Sequence, residues 1–296
     1  MSAKILDGKE LAQTLRDEMQ QEILELQKNN NLTPGLAVVL VGEDPASVSY
    51  VTGKRKACAH IGIYSREENH DASMSEDSLL KLVRELNNDP KIHGILVQLP
   101  LPDHIDDKKV LYAIDPAKDV DGFHPFNVGK MMIGEDTFLP CTPHGIQQML
   151  IRNNIEISSK HVVIVGRSNL VGRPLANILL QKNPNANATV TVCHSRTPDI
   201  GHFTKQADIL VAAIGRPNTI TADMVREGTV VIDVGVSRVE DSTKKRGYRL
   251  VGDVNFEQVS KKASAITPVP GGVGPMTITM LLYNTIKAAK NTIDKI

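Results

Sequence analysis

From Glu10 to Lys28 apolar residues recur at helical spacing, at Leu11, Leu15, Met19, Ile23 and Leu26, which predicts an amphipathic helix. The pattern then changes to a short unbroken apolar run, Gly35–Val41, the signature of a strand buried on both faces. Pro45–His60 and Ser78–Asn87 read as helices, and Gly94–Gln98 as a second buried strand. Strands alternating with helices predict a parallel sheet covered on both sides. Between Pro100 and Pro140 the periodicity disappears and prolines punctuate the chain, so this stretch is expected to be a long irregular segment of the kind that often carries function.

A clean helix start follows at Cys141–Gly145, with Thr142 suited to the N-cap and Pro143 to the first helical position. From His161 a second series begins: strand, helix, strand (Ala188–Cys193), helix, strand (Asp208–Ala212), helix, strand (Thr229–Val234). Asp241–Tyr248 is charged and reads as a hairpin or surface loop. The proline- and glycine-rich segment Pro268–Pro275 leads into an apolar helix, Met276–Ala289, placed to return to the first domain. The expected architecture is therefore α/β with two domains. An N-terminal α/β substrate and catalytic domain takes 1–140 plus 275–296, and a C-terminal Rossmann-like domain takes 141–274.

Composition narrows the class. A chain of 296 residues suits two domains, and 41% hydrophobic residues suit globular cores. Lys+Arg and Asp+Glu both number 34, whereas a general nucleic-acid binder or a protein of acidic membrane surfaces more often carries a basic excess. No apolar run approaches the roughly 20 residues of a membrane span, and the N-terminus lacks the apolar core of a signal peptide. Three scattered cysteines, Cys58, Cys141 and Cys193, form no C-x-x-C pair, which fits a reduced, cytoplasmic protein with neither a zinc site nor a disulfide framework.

The stretch His161–Pro174 places Gly166 at the end of a buried strand and Gly172 at the start of a helix. It is not the usual G-x-G-x-x-G, yet strand, glycine turn and helix N-terminus are the parts that hold a pyrophosphate. NAD sites put an acid after the second strand to bind the ribose hydroxyls. Here that strand ends in His194-Ser195-Arg196 without a carboxylate, and Ser195, Arg196 and Arg167 suit a 2′-phosphate, so NADP is the expected cofactor.

In the first half, Tyr50 and Lys54 share a helix face at i, i+4 spacing. Gln98 stands where an apolar strand runs out, and Asp119 and Asp121 lie in the loop Lys118–Pro125. Ligands of parallel sheets bind beyond the carboxyl ends of strands, so these groups form a candidate site. Tyr-x-x-x-Lys also occurs in short-chain dehydrogenases, but there the glycine turn precedes the pair, and here it follows by more than a hundred residues. His124, His144 and His194 are acid/base candidates by type, with structural or capping roles the more ordinary expectation. Cys58 reads as a small buried residue.

Five motifs in one order, Tyr50–Ala57, Val97–Pro102, Lys118–Pro125, Gly166–Ser168 and Thr267–Thr277, resemble the bifunctional methylenetetrahydrofolate dehydrogenase/cyclohydrolase family over almost the whole chain. The resemblance implies oxidation of 5,10-methylenetetrahydrofolate with NADP and hydrolysis of the methenyl product to 10-formyltetrahydrofolate, both in one cleft. It implies that Lys54 is the catalytic residue, with Gln98 as its hydrogen-bonding partner. Tyr50 would pack on the folate and Asp121 anchor the pterin, with Val97, Leu99, Pro270, Gly271 and Gly272 completing the substrate site. Gly166, Arg167, Ser168, Ser195, Arg196 and Ile232 would line the NADP site. A homodimer is implied by the family alone.

Other readings keep the two-domain plan with a different substrate, as in shikimate- or amino-acid-dehydrogenase-like proteins, or make the chain an NADP- or folate-binding sensor. The Asp121 loop and the Pro270–Ile278 loop speak against the first, and the Lys54–Gln98 pair against the second. The ATP-dependent formyltetrahydrofolate synthesis of larger relatives is not expected, since no G-x-x-x-x-G-K-[ST] loop is present.

Overall fold

The computed structural model describes residues 3–244 and 247–293 and divides into two compact units. One comprises Gln13–Cys141 with the chain from Ile278 onward, and the other the residues up to Ala12 with Thr142–Thr277.

The first unit is built on three parallel strands in the order Tyr64–His70, Gly35–Val41, Gly94–Val97. Every residue of the central strand is buried, as its unbroken apolar run requires. Ala37, Val39 and Val41 pack with Leu79, Val83 and Leu86 of the helix Glu76–Asn88, whose start is capped by Ser75. The strand Tyr64–His70 was not legible in the sequence because it has no apolar alternation. It pairs with the central strand at all seven positions, and its polar groups answer one another across the edge: Arg66 bonds Glu68 at 2.7 Å and Asp89 at 3.3 Å. A charged edge strand also discourages pairing with other chains.

The stretch 100–140 is more regular than expected, with helices Asp107–Ala113 and Pro125–Ile133. Each is too short to display a period, and each is started by a cap rather than an apolar stripe. The Asp106 carboxylate accepts from the N–H groups of Lys108 and Lys109, and His124 Nδ1 accepts from Phe126 N–H.

The second unit is built on a six-stranded sheet in the order Lys4–Ile5, Ala265–Ile266, Val230–Asp233, Ile209–Ala212, His161–Val165, Thr189–Cys193, all parallel. The chain leaves His161–Val165 for Thr189–Cys193 on one side, then crosses to Ile209–Ala212 on the other. That reversal makes the carboxyl ends of His161–Val165 and Ile209–Ala212 the switch point of the sheet, where such folds bind ligands. Val163, Val165, Leu210, Ala212, Val231 and Ile266 form its core.

Three expectations change here. Residues up to Ala12 group with this unit, not the first, because Lys4–Ile5 extends the sheet beside Ala265–Ile266. The helix expected between Ile209–Ala212 and Val230–Asp233 is one 3-10 turn, Ala222–Met224. The helix at Cys141–Arg152 begins one residue before its expected cap, and Thr142 Oγ1 instead meets Thr277 Oγ1 at 2.9 Å.

The charged segment after Val236 is an antiparallel hairpin of Ser237–Glu240 and Tyr248–Val251. The last helix runs Val273–Ile293, and its residues from Ile278 group with the first unit. Among the described residues no helix is long and apolar enough to cross a membrane.

Candidate functional site

Lys54 is carried by the helix Pro45–Ile61, which is begun by the Asp44 carboxylate accepting from Ser47 N–H at 2.8 Å and ended by Gly62 in the left-handed conformation. The helix presents Tyr50, Lys54 and Cys58 at successive intervals of four, so one face bears all three. Lys54 is only 6% exposed, unusual for a lysine, whereas Tyr50 is 42% exposed. The amine lies 5.7 Å from the centre of the Tyr50 ring.

Gln98 follows the strand Gly94–Val97 and continues its ladder through a bond from its N–H to Val39 O. Its side-chain amide donates to Leu99 O at 2.7 Å, which fixes the oxygen to face Lys54, and Lys54 Nζ donates to that oxygen at 2.8 Å. Val97 is buried beneath this contact and Leu99 is partly buried beside it.

Burial is the main force on the amine. It drives the Lys54 pKa below the lysine value of 10.5, while Asp121 and more weakly Cys141 and Cys58 pull it back up. Asp121 is pushed above the usual carboxylate range, first by desolvation, with Asp119 adding to the rise and Lys54, and more weakly the neighbouring Cys141, opposing it. Lysine and aspartate thus lean toward their neutral forms, and each partly offsets the other's shift.

Two residues not singled out by sequence reasoning hold this arrangement. Asn284, 1% exposed and on the last helix, donates through its side-chain amide to Val120 O at 2.8 Å and Leu139 O at 2.9 Å. Cys141, also buried, donates to Val120 O at 3.5 Å. Together they tie the backbone just before Asp121 to the segment that precedes Cys141. Asn284 sits more than 160 positions from Val120 in an apolar helix, where the only sequence signal was a polar residue on a buried face. Asp119 supports the same loop by accepting from Phe123, His124 and Asn127.

Elsewhere, in the second unit, Gly166 ends its strand with φ +135°, and a Cβ there would lie 2.1 Å from Ala213 O. A Cβ on Gly172 would lie equally close to Gly166 O. Only glycine fits either position, which explains the two glycines of the motif. Ser168 Oγ accepts from Val171 N–H at 3.1 Å and shapes the turn. The helix Gly172–Leu180 has no side-chain cap at its start; Arg173 N–H is taken by Ser168 O at 3.1 Å and Pro174 has no N–H, so in its first turn Gly172 N–H is the donor left to face an anion.

Arg167, Ser195 and Arg196 are exposed, and Arg196 N–H donates to His194 Nδ1 at 3.1 Å. Ile232 differs from its expected place: it has no exposed surface, and Val234 and Val236 are the residues open beyond that strand. Pro270 is exposed, Gly271 has φ +108°, and Gly272 is buried with its place for a Cβ 2.6 Å from Pro268 O. These three lie in the second unit, and Tyr50, Lys54, Gln98 and Asp121 in the first. Of the histidines, His124 caps a helix and His194 braces a loop, which are structural roles.

Comparison with known proteins gives a consistent result. A family model described as the tetrahydrofolate dehydrogenase/cyclohydrolase catalytic domain matches residues 6–121, and one described as the NAD(P)-binding domain of the same family matches 140–293. The bifunctional protein FolD of Bacillus subtilis is 58% identical over 294 residues, covering 99% of this chain and 100% of that protein. The crystal structure of the bifunctional enzyme FolD from Campylobacter jejuni is 49% identical with a TM-score of 0.92, covering 98% of this chain and 100% of that one. A dehydrogenase-cyclohydrolase from Trypanosoma brucei, solved with NADP cofactor and an inhibitor, is 39% identical with a TM-score of 0.93, covering 99% of each chain.

Proposed function

The chain belongs to the tetrahydrofolate dehydrogenase/cyclohydrolase family, and from that premise we propose which of its residues perform the two reactions and how. The protein is a bifunctional one-carbon folate enzyme. It oxidises 5,10-methylenetetrahydrofolate to 5,10-methenyltetrahydrofolate, then hydrolyses that product to 10-formyltetrahydrofolate. The buried Lys54, bonded to the half-buried Gln98 and under the charge of Asp121, carries the assignment of residues.

The oxidation asks little of acid–base groups. The carbon that loses hydride lies between two nitrogens, whose lone pairs delocalise the cation left behind. The chain's task is to orient the folate, with the Tyr50 ring packing on it and Asp121 accepting from the pterin's amide and amino donors. Bound NADP supplies the hydride acceptor. The Gly166 turn and Gly172 N–H suit its pyrophosphate, and Arg167, Ser195 and Arg196 its 2′-phosphate.

Hydrolysis is different. Water attacks the methenyl carbon and must lose a proton, and the departing ring nitrogen must gain one. An amine with its pKa lowered by burial can take and return that proton. Gln98 orients the amine without adding a negative charge, which would raise the pKa again. We assign folate chemistry to the first unit with the last helix and NADP to the second. We also place the protein in the cytoplasm as a homodimer, in keeping with three buried free cysteines and with the family; sedimentation at micromolar concentration checks the dimer.

Mixing pure protein with methylenetetrahydrofolate and either NADP or NAD, and following reduced cofactor and methenyl absorbance together, tests the whole reading. Reduction of NADP with decay of the methenyl signal is expected; reduction of neither cofactor would overturn it. Arg196→Ala is expected to raise the KM for NADP about tenfold, the loss of a charge-assisted phosphate contact, and to leave NAD use nearly unchanged. Equal effects on both would move 2′-phosphate recognition elsewhere. Gly166→Ala is expected to abolish detectable NADP binding by calorimetry, since its Cβ would strike Ala213 O. Unaltered affinity would remove the turn from the site.

A further inference from the structure

Two buried carboxylates lie together at the carboxyl edge of the six-stranded sheet, outside the machinery assigned above. Asp253 has no exposed surface. Its Oδ2 accepts from Ile214 N–H at 2.6 Å and Gly215 N–H at 2.9 Å, and its Oδ1 from Arg216 N–H at 2.9 Å. Asp233 is 3% exposed, and its carboxylate accepts from Gly235 N–H at 3.0 Å, Asp253 N–H at 2.9 Å and Val254 N–H at 2.9 Å. Glycines make room for both acids. A Cβ on Gly235 would lie 2.1 Å from Asp253 Oδ1, and one on Gly252 would lie 1.8 Å from Asp233 Oδ2.

The loop these acids hold is the one that faces the glycine turn. Ala213 O closes on Gly166, and Ala213 N–H bonds Val165 O at 2.8 Å. This is the switch point of the sheet. Gly215, at φ +75°, is exposed and has open space over its missing side chain. Three successive N–H groups turned inward form the kind of concavity that usually grips a phosphate. Here the chain's own Asp253 fills it. The anion-binding capacity of the edge is therefore left to Gly166–Ser168 and Gly172 N–H, while the facing loop is locked and offers bare backbone. Asp233 extends the lock: its N–H donates to Thr267 Oγ1 at 2.7 Å, and Thr267 Cβ would stand 2.8 Å from a Cβ on Gly272. Burial pushes the Asp233 carboxyl up to about 7, and its backbone donors oppose that rise.

We propose that Asp253, held in place by Asp233, is a positioning residue for dinucleotide binding: it pins Ile214–Arg216 opposite the Gly166 turn before the cofactor arrives. This rests on the assignment of the Gly166–Ser168 turn to NADP. With no exposed surface, Asp253 itself touches no ligand.

The test uses the full-length protein. Calorimetry of the unsubstituted protein with NADP comes first; no binding there would overturn the nucleotide assignment itself. Asp253→Asn keeps the shape but turns an N–H₂ group toward a backbone N–H. The KM for NADP is expected to rise about tenfold or more, with cyclohydrolase turnover within about twofold of the unsubstituted enzyme. Gly235→Ala, which crowds the same carboxylate while keeping it, is expected to give the same split. An unchanged KM for NADP in both, or a matching loss of both activities with a lowered melting temperature, would overturn the proposal. Hydrogen exchange on the unsubstituted protein needs no variant to fold. The exposed-loop amides of Gly215 and Arg216 are expected to exchange at least about 100-fold slower than unstructured rates before NADP is added. Exchange at unstructured rates, with protection only after NADP, would equally overturn it.

Discussion

Replacing Lys54 by alanine is expected to lower cyclohydrolase turnover by roughly 10²–10⁴-fold, the usual contribution of a positioned acid–base group, while NADP affinity stays within about twofold. The prediction follows from burial. An exposed lysine would be protonated at neutral pH and could not accept a proton from water. Lys54 is 6% exposed, and desolvation lowers its pKa despite the opposing charge of Asp121. As a base the amine must be neutral, so turnover should rise with pH, with its midpoint below 10.5. Gln98→Glu would place a second carboxylate 2.8 Å from the amine and move that midpoint upward. Stopped-flow decay of methenyltetrahydrofolate across pH checks both. Full hydrolysis by the alanine variant would remove Lys54 from the mechanism.

The second large effect is expected from Asp121→Ala. It removes the carboxylate that would accept from the pterin, so the KM for folate should rise in both reactions by roughly 10–100-fold, as when a charged hydrogen-bond partner is lost. The variant has a second signature. Asp121 raises the Lys54 pKa, so its loss should shift the hydrolysis profile toward lower pH. A simple packing defect would not produce that shift. Unchanged KM in both assays would refute anchoring, and an unshifted profile would show that the two groups are not coupled.

The catalytic helix and the nucleotide turn were legible because their signals are local. Tyr50 and Lys54 share a face by helical spacing alone, and an apolar strand ending at Gly166 needs no distant partner to be read. Gln98 was legible as the first polar residue after an apolar strand. The polar edge strand Tyr64–His70 was not, because its stability comes from its neighbour's backbone and from side chains paired along and beyond it. Nor were the helices between Pro100 and Pro140, whose caps outweigh their pattern. Ile232 shows the reverse: the family resemblance implied lining, and packing leaves it no exposed surface.

By itself the sequence determined the alternation of strand and helix, the order of the motifs and the chemical types offered to the site, since these depend on periodicity and on neighbours a few residues apart. Only the tertiary structure decided that the first strand joins the second unit's sheet, that Asn284 braces the Asp121 loop, and that Asp253 closes the Ile214–Arg216 loop. Each of those depends on a hydrogen-bonding group meeting a partner far along the chain, and a buried polar group reveals its partner only once folding has removed water as the alternative.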